Sequence, residues 1–561
     1  MASMKGTTRW LLASVLVLLL QTQFVFSASA VIPVPPNVAP DFINANLHRV
    51  IDLTGPIVRE HTTIIVKGIR QSGSADSYFL SFKEQAADNH LAWLEVEEKG
   101  GKPLLVAKDV TDGQNGIQYY KVKLAAPLKA DDKATLIVKA SYAKRIEPFP
   151  KEISQVGKQM FLYRDNVHLY SPYQSEKQKT TVKTKTTEAI ARDKSGSSRP
   201  DRSSNTLVYG PYTDLPPFAE LELDVHYADP EPILVAKEHR KNAVISHWSG
   251  QLAVQEDYEV HHKGASLKGQ WSRIDYQLTQ RMHDNTNVVK GLQVQLPPQA
   301  SNIFFRDTIG NVSTSRVAHD RRRTVLYLKP RYPLYGGWRY TWHHGYHAPL
   351  ENFLKRDEAT GRYVFRVAFT GGMSNLTVEH AVLSVVLPEG ARNIDVKSAF
   401  NLDGISNTTT YTFLDTTGRP TVVLQKVNAV DEHALPIEIS YDYSPISLLQ
   451  KPLAVSVAFL LVFLTGAVYS RLDLGITKNP AREAETLLRS YRQTVTQTQT
   501  LTKSLFTRLT TAFETYKATK ELSTYHLTLA DVEAALGEAW KRLEGVAERA
   551  EKGGNEVFGR G

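Results

Sequence analysis

One long apolar run, Leu453 to Tyr469, limits what this 561-residue chain can become. It contains Leu453, Ala454, Val455, Val457, Ala458, Phe459, Leu460, Leu461, Val462, Phe463 and Leu464 without a charge. At about 1.5 Å per residue the run reaches about 25 Å. That approaches the hydrocarbon thickness of a thin cellular bilayer, about 27 Å. Lys451 and Pro452 precede it and Arg471 follows it. Pro452 suits a first helical turn, where a missing N–H costs little. A transmembrane helix is therefore expected over residues 448–470, with small Gly466 and Ala467 permitting close approach of a neighbouring helix.

The N-terminus predicts which side of the membrane each part occupies. Lys5 and Arg9 give a positive start, Trp10 to Leu20 is an apolar run too short to span, and Ala28-Ser29-Ala30 is a small-residue cleavage signal. Residues 1–30 read as a signal peptide cut after Ala30. A cleaved signal and one span place 31–447 in a lumen and 471–561 in the cytosol. The flanking charges, Lys451 and Arg471, lie at opposite ends and do not decide orientation. Three acceptor triplets for N-glycosylation begin at Asn311, Asn375 and Asn407, all on the lumenal side.

The formal net charge of +9 raises the possibility of nucleic acid, but secretion and a membrane span argue against such a partner. The chain has no cysteine. No disulfide frames it in an oxidising compartment, so it must be held by its cores.

The lumenal stretch reads as β-rich. Val50–Leu53, Thr62–Val66, Ala134–Val138, Thr324–Leu328, Val382–Leu387 and Ile437–Tyr441 are short β-branched runs between turn residues. Short strands with frequent turns predict antiparallel sandwiches. Pro230 and Pro232 bias the chain to extended geometry, so the lumen is divided into sandwich-like domains 31–230 and 231–447. Gln174–Asn205, rich in Lys, Thr, Ser and Arg, reads as a surface loop. In the tail, Leu488, Tyr491, Val495, Leu505, Leu509, Phe513 and Tyr516 recur on one helical face. A second helix is expected to start at Thr528-Leu529-Ala530-Asp531 and carries Val532, Leu536, Ala539, Leu543 and Val546. Folding as a hairpin or docking on a partner helix would each bury these stripes.

Chemistry is sparse. His343, His344 and His347 could ligate a metal, but no carboxylate lies among them and His-Glu-x-x-His is absent. In a strand His343 and His344 point to opposite faces, and an aromatic-rich strand with surface histidines is expected. His261-His262-Lys263-Gly264 reads as a strand end with a turn. Arg321-Arg322-Arg323 reads as a solvated hairpin, although it could meet phosphate. No Gly-x-Ser-x-Gly elbow or phosphate loop with Gly-Lys-Ser/Thr occurs. No catalytic, cofactor or metal residue is assigned.

Several stretches, in order, carry a resemblance. They include Ser171-Pro172-Tyr173, Tyr209-Gly210-Pro211, Val244-Ile245-Ser246-His247-Trp248-Ser249-Gly250 and Arg306-Asp307-Thr308-Ile309-Gly310-Asn311-Val312-Ser313. Pro330-Arg331-Tyr332-Pro333-Leu334-Tyr335-Gly336-Gly337-Trp338, Leu387-Pro388-Glu389-Gly390 and Tyr411 to Pro420 follow, then Arg471-Leu472-Asp473-Leu474-Gly475. Together they resemble the ribophorin I family, a subunit of the oligosaccharyltransferase complex of the endoplasmic reticulum membrane. That complex moves an oligosaccharide from dolichyl diphosphate to Asn in Asn-x-Ser/Thr. The resemblance implies a non-catalytic subunit, with the chemistry on a separate multi-spanning chain. It implies as partners the catalytic and small membrane subunits, nascent polypeptides and the translocon, and it implies no cofactor. The histidines after Gly336-Gly337-Trp338 and the tail past residue 485 depart from the family pattern. A secretory metallopeptidase and a cell-surface adhesion protein are the rival readings.

Overall fold

A computed structural model describes residues 40–558 apart from 71–73, 84–89, 113–115, 187–188, 194–200, 204, 283–286 and 473–479. The expected signal peptide, residues 1–30 with its cut after Ala30, lies outside the described residues.

Residues up to Ala454 form one compact unit, built almost wholly of strands. Each of the expected β-branched runs lies in a strand, the last residue of Val382–Leu387 excepted. Period-two burial drives this. In Val58–Gly68, for example, Val58, Glu60, Thr62, Ile64 and Val66 are buried on one face.

Two large sheets share one plan. In the first half the order is Asp201–Ser203, Thr206–Leu215, Ser175–Thr184, Phe42–Leu53, Val58–Gly68, Lys133–Tyr142, Leu91–Glu98 and Lys102–Pro103. In the second it is Gly404–Thr410, Arg419–Ala429, Leu376–Val386, Leu234–Ser246, Gln251–His262, Arg339–Pro349 and Ser301–Asp307. Each half opens with a strand at the sheet's centre. That strand pairs antiparallel with the next one and parallel with a much later one. These two parallel pairs, with a short third one between Glu152–Ile153 and Ser266–Leu267, depart from the antiparallel expectation. Parallel neighbours need a long crossover, and here the intervening chain builds the covering sheets, with one short helix, Arg273–Met282, in the second half. Both opening strands also bulge early, at Ala45 and at Lys237.

In the first half, one face of the large sheet carries two cores. Phe42, Leu47, Ile64 and Val66 pack with Tyr78, Leu80, Ile117 and Val122 of a three-stranded sheet. Ile51, Leu53, Val58 and Tyr142 pack with Phe161, Tyr163, Leu223, Val225 and Tyr227, from a four-stranded sheet. In the second half one continuous core serves the large sheet and its two smaller sheets.

The stretch read as a loop, Gln174–Asn205, is corrected. Ser175–Thr184 is a strand in the middle of the first large sheet, with Gln178, Thr180, Val182 and Thr184 buried. Its polar side chains find backbone partners: Thr180 Oγ1 donates to the Val167 carbonyl at 2.7 Å and Gln178 Nε2 to the same carbonyl at 3.2 Å. Buried but satisfied polar residues make a core strand look like a loop by composition.

The apolar run forms helix Gln450–Arg471, 22 residues with none buried. At about 1.5 Å per residue it is about 33 Å long. Among the described residues it is the one helix long and apolar enough to cross a membrane.

The tail folds by itself as a hairpin of Pro480–Thr519 and Leu522–Phe558, joined through Lys520 at φ +60°. Thr498, Leu505, Val532, Ala539 and Val546 form its buried seam. The second helix begins six residues before the expected start. Thr528 sits inside it, its hydroxyl donating back to the Tyr525 carbonyl at 2.9 Å, so it is no cap. Leu488 and Phe513 of the first stripe stay exposed, because a single partner helix covers a narrower band than the stripe.

Candidate functional site

The two halves are joined by polar residues that sequence reasoning missed. Gln159, 2% exposed, donates from Nε2 to the carbonyls of Asp229 and Glu231 at 3.1 and 2.9 Å. Its Oε1 accepts from the Ala265 N–H at 3.0 Å and from Asn287 Nδ2 at 3.2 Å. One side chain thus holds the Pro230–Pro232 crossing and the second half together. Glu152–Ile153 pairs in parallel with Ser266–Leu267 across the same joint. On another side Arg59 forks onto Asp431 and Glu432 at 3.0 and 2.9 Å, and Ser141 Oγ donates to Glu432 at 2.8 Å. Ile57, Ala143 and Val430 close a small apolar patch there, with Trp93 edge-on to His433 at 5.1 Å.

Each half also buries a charge centre on its two opening strands. Arg49 stands between Leu47 of one core and Ile51 of the other. Its guanidinium pairs with Glu60 at 2.8 Å and with Asp165 at 2.8 Å. Arg145 meets the other oxygen of Asp165 at 3.0 Å. Burial pushes the Asp165 carboxyl up, but Arg49, Arg145 and the Tyr163 hydroxyl hold it at about 2. It is therefore ionised at neutral pH. These groups floor a cleft of about 580 Å³ whose rim includes Lys83, His90, Arg164, His168, Tyr170 and Glu220.

In the second half Lys241 stands as far past its bulge as Arg49 does past its own. Its Nζ lies 3.6 Å from Glu256 Oε1 and donates to the carbonyls of Ala368 and Thr370 at 3.0 and 3.1 Å. Glu256 also meets Tyr258 Oη at 2.8 Å and His239 Nε2 at 3.3 Å. Burial alone would raise the Glu256 carboxyl; Lys241, His239 and His344 instead hold it well below the usual carboxylate range.

The histidine expectations divide. His343 and His347 are half-exposed, but His344 is fully buried, which corrects the surface reading. Trp342 stacks on Tyr258, its cross-strand neighbour, at 5.0 Å, and His344 stacks on the same tyrosine at 5.6 Å. The aromatic column draws the ring inward, and burial lowers its imidazole to about 4. His262 ends its strand as expected, yet is also buried. Its Nε2 donates to the Asn287 carbonyl at 2.6 Å and its Nδ1 accepts from the Gly264 N–H at 3.0 Å. That pattern requires a neutral ring, and burial lowers its pKa to about 4. Arg321, Arg322 and Arg323 are exposed in a hairpin turn. Among the described residues no cluster of three or more His, Asp or Glu is arranged to hold a metal.

Asn311, Asn375 and Asn407 are all exposed and lie apart in the second half. Asn311 Oδ1 accepts from Arg306 Nε at 2.8 Å. Its turn is built on Asp307, which accepts from the N–H groups of Ile309 and Gly310 and pairs with Arg331. Asn375 holds φ +58° and its N–H reaches Asp431 at 3.0 Å. Asn407 lies on an edge strand.

The ribophorin I family profile matches residues 42–470. The chain belongs to the ribophorin I family. Relatives extend the match over most of their own length. A rice protein named dolichyl-diphosphooligosaccharide–protein glycosyltransferase subunit 1B (Oryza sativa subsp. japonica) is 34% identical over 76% of this chain and 91% of its own. An Arabidopsis thaliana subunit 1A is 34% identical over 78% and 72%. A Caenorhabditis elegans subunit 1 is 30% identical over 85% and 80%. Two ribophorin I stretches from the sequence meet in space where Asp307 pairs with Arg331, and Gly336 of the second presses so closely on the Ala265 carbonyl that a side chain there would collide with it.

Proposed function

We propose that this ribophorin I protein is a non-catalytic subunit of the oligosaccharyltransferase complex of the endoplasmic reticulum membrane. It has a structural role and handles acceptor chains. The observation that carries this reading is the family match across 42–470, which takes in both β halves and nearly all of the span. The accessory role is supported by the charge centres: the carboxyls of Asp165 and Glu256 are committed to buried cations of their own half. The cross-links through Gln159 and Arg59 suit a stiff lumenal platform.

In this reading residues 1–30 are removed, 31–230 and 231–447 face the lumen as two domains, 448–470 cross the membrane and 471–561 face the cytosol. Asn311, Asn375 and Asn407 are open to glycosylation, nascent polypeptides are met on the lumenal side, and the translocon is a further partner. Purification of the tagged full chain in mild detergent tests the assignment. A multi-spanning glycosyltransferase subunit should co-purify; recovery without one overturns it. Protease added to intact microsomes should trim only the tail.

A further inference from the structure

The stretch Tyr411–Pro420 is the turn that joins edge strand Gly404–Thr410 to Arg419–Ala429. Two buried carboxylates hold it. Glu389 Oε1 accepts from the N–H and hydroxyl groups of Thr416 and Thr417, at 2.6 to 2.9 Å. Asp415 accepts from the Thr412 N–H at 2.7 Å, and its side chain is fully buried. So rigid a frame would be expected to tuck the apolar residues inward. It does the opposite: Phe413 is 88% exposed, Tyr411 69% and Leu414 46%. Leu414 has φ +65°, a left-handed conformation that a leucine rarely adopts. Strain kept in place by its surroundings is a pointer to use.

The second observation says what the turn faces. Asp415 Oδ1 pairs with Lys451 Nζ at 2.9 Å. Lys451 lies two residues before the apolar run that starts at Leu453, an axial rise of about 3 Å. Ile446 and Leu449, in the turn Pro445–Leu449 before that helix, are also exposed, by 75% and 60%. Gly390, at φ +89°, lets the Leu387–Gly390 stretch close on Ser447, where a side chain would come within 2.7 Å of its hydroxyl. Two of the shared ribophorin I stretches thus converge on the entry to the membrane.

We propose that Tyr411, Phe413 and Leu414, with Ile446 and Leu449, dip into the interfacial layer of the bilayer on the side of the β-rich unit, and that the Asp415–Lys451 pair fixes this turn at that depth. Aromatic rings are favoured at that level, where an apolar body and polar surroundings are both met. The turn then acts as a second membrane contact beside the single helix. It limits the freedom of the β-rich unit to swing about one flexible point.

The chain has no cysteine, so Phe413→Cys and Tyr411→Cys each accept one environment-sensitive fluorophore at an exposed position. Leu105→Cys, at a residue 72% exposed in the first half, is the reference. The labelled full chains are reconstituted in phosphatidylcholine vesicles and quenched by a headgroup-level nitroxide lipid or by aqueous iodide. At 413 and 411 the nitroxide should quench at least threefold more than at 105, and iodide at least threefold less. Iodide quenching equal to that at 105 overturns the proposal, as the turn would then face water. Shielding from both quenchers also overturns it, since protein would then cover the turn. Neither result depends on assembly of the complex.

Discussion

Arg59 Nε lies 2.9 Å from Glu432 Oε1, across 373 residues of sequence. The same guanidinium reaches Asp431, which in turn holds the Asn375 N–H. The two halves of the β-rich unit are therefore fastened by a partly buried charged fork as well as by Gln159. Arg59→Ala leaves Glu432 partly buried without its cation. The pair is about a quarter exposed on each side, so the loss is limited to about 1 kcal/mol. For a β-rich unit of this size that corresponds to only about 1 °C in the melting midpoint. Thermal unfolding of the full chain in detergent checks this; an unchanged midpoint would show that the fork contributes nothing.

Lys241 and Glu256 are 4% and 2% exposed. Removing only the cation strands a carboxylate in the core, which costs about 3–5 kcal/mol. Lys241→Met should therefore be severely destabilised. The double variant Lys241→Met, Glu256→Gln should recover part of the loss, since neither charge then remains unpaired. Arg49→Met in the first half should behave like Lys241→Met, because Arg49 stands at the matching place in the same sheet plan. Denaturant midpoints of the single and double variants test the coupling. Strictly additive losses would contradict it.

Acid should weaken the β-rich unit in two separate steps. Burial lowers His262, His344 and His433 to about 4 from a reference of 6.5. The unfolded chain then binds these protons first, so stability is full above pH 6.5 and falls as pH drops toward 4. Each such ring contributes up to about 1.4 kcal/mol per pH unit in that window. Asp165, held at about 2, acts in the same direction at lower pH: its contribution is present above its ordinary value of 3.8 and lost as pH falls through about 2. Melting midpoints measured from pH 7 to pH 4.5 should therefore decline before the Asp165 network titrates. A flat profile in that range would refute neutral buried rings.

The tail hairpin depends on a thin seam. Val532 is 3% exposed, and Val532→Asp places a charge against the facing helix. A loss of about 2–3 kcal/mol is expected, enough to melt so small an element. Far-ultraviolet circular dichroism of the full chain should lose helical signal, while the β-rich unit keeps its melting midpoint. Retained helicity would mean that the two helices do not rely on each other.

Much of this was legible from residue order. The span, the strand runs and the tail stripes rest on local periodicity, which neighbouring residues alone establish. The stripe Val532, Leu536, Ala539, Leu543 and Val546 is covered as its spacing predicts, although its helix starts at Leu522 and not at Thr528. The strand Ser175–Thr184 was hidden because its buried face is made of Gln and Thr, whose partners come from residues far away in sequence. His344 was misread for a related reason: alternation says that it opposes His343, but not which face meets the core.

The buried charges left a faint signal, since Arg49 and Lys241 each occupy an inward position of an alternating strand. Nothing in the order of residues says that Glu60 with Asp165, or Glu256, will answer them. By itself the sequence determined the kinds of element, the span and, through its ordered stretches, the family. Only the tertiary structure decided that the two halves repeat one sheet plan, that Gln159 and Arg59 lock them, and that Asp415 ties an apolar turn to Lys451. Periodicity is a property of neighbours along the chain, whereas pairing, burial and charge compensation are properties of residues that meet only after folding.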